Sequence, residues 1–124
     1  MEFIVKETYL LNGETRRDYP PVDIYEREDA VVFVVELPGV LQQDVLAKVY
    51  NNLLVIEGVK KQHDNEKKGM FICMEREFSR FRRIIPVPVT VAPDKADAVL
   101  KDGILRITLP KAEDRVYKIK ILKE

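Results

Sequence analysis

Ala98-Val-Leu-Lys-Asp-Gly-Ile-Leu-Arg-Ile-Thr-Leu-Pro-Lys111 reads as two short strands folded back on each other at Lys101-Asp102-Gly103. Asp-Gly between apolar alternations marks a hairpin or bend, because glycine tolerates the positive φ that such turns need. Pro110 ends the second strand, since its ring nitrogen has no hydrogen to give to a ladder. Eight residues beyond Lys111, Ile119-Lys120-Ile121 repeats the two-residue period on a detached tail. An apolar pair on a tail needs a place to go. It is either the last strand of its own sheet or a peptide added in a groove elsewhere. Lys118, Lys120 and Lys123 would keep it in solution while undocked.

Upstream, the same period recurs. Val22, Ile24 and Tyr25 start a strand that Glu26–Asp29 closes. Ala30–Leu37 is apolar on both parities, which predicts a central strand buried on two faces. Pro38-Gly39 is a turn. Val45, Ala47 and Val49 alternate with Lys48 and Tyr50, so this strand has one partly wet face. Asn51-Asn52 turns the chain into a further buried strand at 53–57. Gly58 to Gly69 reads as an exposed charged loop, with the apolar island Met70–Met74 beyond it. Strand character over 75–89 is broken by Pro86, Pro88 and Pro93. No stretch of ten residues carries helical apolar spacing. Seven or eight short strands without helices between them predict an all-β chain, an antiparallel sandwich.

At 124 residues, 46% apolar and 34% charged, the chain is one globular domain with a core of its own. Twenty-one basic residues balance twenty-one acidic ones, so no bulk field draws nucleic acid or anionic lipid. The longest apolar runs are far too short to cross a bilayer. The first seven residues lack the basic start and long apolar stretch of a signal peptide, and Cys73 has no partner for an intrachain disulfide. A cytoplasmic protein that uses neither nucleic acid nor membrane as partner is expected.

Catalytic and metal chemistry find little support. His63 sits in the charged loop without a fixed partner, and Cys73 between Ile72 and Met74 reads as a small apolar residue. There is no Gly-rich phosphate loop and no Cys/His metal spacing. Glu75-Arg-Glu-Phe-Ser-Arg-Phe-Arg-Arg83 is the densest charge cluster. Strict alternation puts Phe78 and Phe81 on opposite faces, so a bulge or two-sided burial must intervene. Its arginines either meet carboxylates of a second subunit or form a solvated face of weak pairs. The Met70–Met74 island either folds back onto its own sheet or adds to a partner's sheet.

Several segments, taken in order, resemble the small heat shock protein family, the α-crystallin domain chaperones. They are Pro21-Val-Asp-Ile-Tyr25, Glu36-Leu-Pro-Gly-Val40, Asn52-Leu-Leu-Val-Ile-Glu-Gly58, Glu75-Arg-Glu-Phe78 with Phe81 and Arg83, and the stretch from Ala98 to Lys111. Ser79 departs from the glycine that many relatives carry there. The resemblance implies an immunoglobulin-like antiparallel sandwich over 21–111. A flexible N-terminal arm, 1–20, would precede it, and a C-terminal extension, 112–124, would follow. It further implies a dimer of the bacterial and plant type, higher homo-oligomers, no cofactor, and ATP-independent holding of unfolded client proteins. In that scheme Ile119 and Ile121 dock in a groove walled by Val45, Ala47, Val49 and Leu100. Met70, Phe71, Ile72, Arg80 and Arg83 belong to the dimer interface. Phe3, Ile4, Val5, Tyr9, Leu10 and Leu11 form a client-binding arm. The competing expectation is a monomeric sandwich, resembling a co-chaperone domain, that docks a defined partner.

Overall fold

Apolar residues two apart put one row of side chains on each face of a strand, and the rows decide how the strands stack. The computed structural model describes residues 14–62, 69–113 and 118–124. Among these, the strands are β1 (Val22–Glu26), β2 (Ala30–Glu36), β3 (Val45–Tyr50), β4 (Leu53–Lys60), β5 (Ser79–Pro86), β6 (Asp97–Lys101) and β7 (Ile104–Pro110). Two single 3-10 turns, Gln42–Asp44 and Pro93–Lys95, accompany them. The strands form two antiparallel sheets, ordered β1-β2-β7-β6 and β3-β4-β5.

β2 is central in its sheet and buried on both faces, as its unbroken Val run requires. Val31, Phe33, Val35 and Leu37 point between the sheets, where they meet Leu54 and Ile56 of β4, Phe81 and Ile85 of β5, and Leu105, Ile107 and Leu109 of β7. Two tight turns set the registers. Asp102 and Gly103 both have positive φ between β6 and β7, and Asn51 and Asn52 do the same between β3 and β4. That conformation matches the twist of a two-residue hairpin. Pro86 and Pro110 are each the last residue of their strand.

Four readings need correction. The strand at 53–57 runs on to Lys60, so the charged excursion begins later than Gly58. Gly58 looks like loop punctuation, but it lies opposite both Val45 and Phe81, where the Phe81 ring leaves no room for a side chain. Residues 70–78 belong to no strand, and β5 starts only at Ser79, itself buried. Cys73 is exposed rather than packed. Phe78 and Phe81 are both buried, Phe81 in the core and Phe78 outside that cluster, beneath the Arg76 guanidinium. Two-sided burial resolves the parity problem. His63 lies outside the described residues.

Candidate binding groove

β3 and β6 are the edge strands of different sheets and share one flank of the sandwich. Their inward rows face each other without backbone pairing, and both rows carry an alanine where a larger residue would close the gap. Two adjoining cavities result. One, of about 380 Å³, lies against Val45 and Leu100, with Leu105 behind them. The other, of about 310 Å³, lies against Val49 and reaches Ile107 and Leu109. Ala47 and Ala98 border both, forming a waist between them. The four residues Val45, Ala47, Val49 and Leu100 thus stand along one groove. Sequence reasoning missed one wall, the Pro93–Lys95 turn with Ala96 and Asp97. Its signal was Pro93, a residue suited to the first position of a short helix.

The tail lies elsewhere. Ile119 and Ile121 are 87% and 93% exposed, and Leu122 stands in solvent beside them. Neither isoleucine is a strand of this chain's own sheets. In extended conformation alternate side chains on one face are about 7 Å apart, so Ile119 and Ile121 would present their side chains to the same surface.

The opposite flank is formed by β5 and β1. Arg16 bridges to Phe81 as a parallel partner: its N–H donates to the Arg80 carbonyl and its own carbonyl accepts from the Arg82 N–H, at 2.9 and 2.8 Å. Its guanidinium binds the Asp18 carboxylate through two nitrogens and reaches Glu77 at 2.6 Å. The hydrogen bond from Arg16 holds the Asp18 carboxyl below its ordinary value. Tyr19 packs edge-on against Phe81, with the cations of Arg16 and Lys60 over its ring. Burial raises the pKa of its hydroxyl. Arg83 turns inward, donating to the Pro20 carbonyl at 2.8 Å, whereas Arg80 is exposed. Met70 is 90% exposed and Ile72 wholly so, with Phe71 half-exposed between them. Phe3, Ile4, Val5, Tyr9, Leu10 and Leu11 lie outside the described residues.

No group of three His, Cys, Asp or Glu side chains among the described residues is placed to hold a metal ion. No helix among them is long and apolar enough to cross a membrane. Two antiparallel sheets, a groove between their edge strands and a detached Ile-x-Ile tail define an α-crystallin domain protein. The chain belongs to the Hsp20/alpha crystallin family, whose model matches residues 23–122. It is 35% identical over 116 residues to small heat shock protein C2 of Rickettsia felis, which covers 92% of this chain and 75% of that one. Small heat shock protein C4 of the same organism is 40% identical over 103 residues, or 82% of this chain and 63% of its own length. The chain therefore spans less than two thirds of that relative. Heat shock protein 16.0 from Schizosaccharomyces pombe superposes with a TM-score of 0.70 at 33% identity, covering 85% of this chain and 75% of that one. Family membership supports a chaperone role.

Proposed function

We propose that this chain is an ATP-independent holding chaperone that binds unfolding proteins, and that it works from dimers assembled further through the tail. One observation carries the reading: an apolar groove between β3 and β6 coexists with two solvent-exposed isoleucines at alternate positions of the tail. Burying two isoleucines contributes roughly 3–6 kcal/mol before ordering costs. A net contact of a few kcal/mol holds subunits together yet lets them part. Parting uncovers apolar surface on demand, which is what holding requires.

The dimer contact in this reading comes from Met70, Phe71 and Ile72, together with the exposed Arg80 of β5. Among the described residues the segment is apolar, exposed and in no strand, and β1 has no neighbour on its outer edge, where a second copy's strand can add. Arg83 contributes less, being engaged with Pro20 of its own chain. The arm, through Phe3, Ile4, Val5, Tyr9, Leu10 and Leu11, supplies a second client surface. No cofactor, nucleic acid or membrane enters the scheme, and its setting is the cytoplasm.

The test is light scattering from a client that aggregates on heating or reduction, with this protein added and ATP omitted. Suppression near equimolar ratio is the expected outcome. Undiminished aggregation at several-fold molar excess of this protein would overturn the reading.

A further inference from the structure

Sulfur is unevenly distributed in this chain. Its one cysteine and two of its three methionines fall within five residues, Met70-Phe-Ile-Cys-Met74. The segment belongs to no strand. Met70 stands almost wholly in solvent, Met74 is exposed, and Cys73 is a free, exposed thiol. Phe71, Cys73 and Met74 border a shallow cavity of about 290 Å³ with Glu75 and Arg76. Added to a second copy's sheet as an extended strand, the segment would turn Met70, Ile72 and Met74 to one face and Phe71 and Cys73 to the other. Two of the three side chains on the first face are therefore thioethers. A solvent-exposed thioether is open to peroxide, and its sulfoxide is polar.

We propose that Met70 and Met74 are an oxidant-responsive modification site: peroxide converts both to sulfoxides and thereby prevents this segment from docking on a second copy. The inference rests on the reading of 70–74 as a dimer contact. In the chemical step a sulfur lone pair attacks one oxygen of hydrogen peroxide. The S–O bond forms as the O–O bond breaks, and the departing hydroxide takes up the proton released, leaving water. Sulfur loses two electrons and the peroxide gains them. Each new S–O group accepts hydrogen bonds that water supplies and an apolar contact does not. On this reading docking covers the two sulfurs, so oxidation withdraws the undocked population and the docked one follows by mass action. Cys73, on the other face, is not required.

The full chain is titrated with hydrogen peroxide, with the Gly69–Arg76 peptide read by mass spectrometry and native mass by light scattering. Met70 and Met74 are expected to gain one oxygen each while native mass falls about twofold or more. Met70→Leu/Met74→Leu, which keeps the apolar volume, is expected to hold the untreated mass and lose the response. Cys73→Ser should respond as the parent does. Oxygen gained at both methionines with no change in mass would overturn the proposal, as would a leucine variant that still dissociates. A chain already monomeric before peroxide overturns the dimer reading and the proposal with it, so the two failures are separated before oxidant is added.

Discussion

A methyl group at Gly58 would overlap the Asp44 carbonyl oxygen and stand 2.7 Å from Phe81 Cζ. Neither neighbour can yield, since one is backbone and the other a ring buried in the core. Gly58→Ala is therefore expected to cost about 3 kcal/mol, read as a lower denaturant midpoint with unchanged slope. A loss under about 0.5 kcal/mol would place the residue in the tolerant surface class instead. Asp18 shows a gentler effect. Its carboxyl is held low by the Arg16 hydrogen bond, so that pairing is complete above the ordinary carboxylate range and is lost as pH falls through the lowered value. Both groups are exposed, and the contribution to stability is small. Side-chain NMR titration should show the Asp18 midpoint rising toward the ordinary one in Arg16→Ala, with the backbone hydrogen bond and Arg83 still holding it somewhat low. An unmoved midpoint would show that the guanidinium does not hold the carboxyl.

The elements most legible in the sequence are those whose signals are local. Asp102-Gly103 and Asn51-Asn52 announce their hairpins, and the Val run of β2 announces burial on two faces. The groove was legible in part, because the inward rows of β3 and β6 follow from period two once the strands are placed. What stayed hidden is what the chain settles over long range. Gly58 reads as a breaker until the Phe81 ring is known to cross it. Arg16 carries no local sign that it will bond to the Arg80 and Arg82 backbone. The 3-10 turn at Pro93–Lys95 becomes a wall only because β6 returns beside β3. The waist offers a test at this scale. Ala98→Phe should fill both chambers, lower native mass as deletion of the tail would, and leave the β-sheet circular dichroism intact. Retention of the full native mass would place the tail's docking site elsewhere.

For the whole molecule, the simplest measurement is native mass. Ile119→Ala/Ile121→Ala removes most of the apolar area the tail offers the groove, so assemblies should fall to dimers while the fold is kept. Unchanged mass would mean that the tail carries no contact between subunits. The arrangement of flanks adds a consequence of its own. β3 and β6 border one side of the sandwich and β5 and β1 the other, and the root of the arm is tied to the second by Arg16 and Tyr19. If both flanks bind other subunits, as proposed above, each subunit is a divalent link, and filling one address leaves the other vacant. Such links add without limit unless their relative rotation brings the last onto the first. The size of a closed particle would then be fixed by an angle between two contacts, and strengthening either contact would change its lifetime but not its number of subunits.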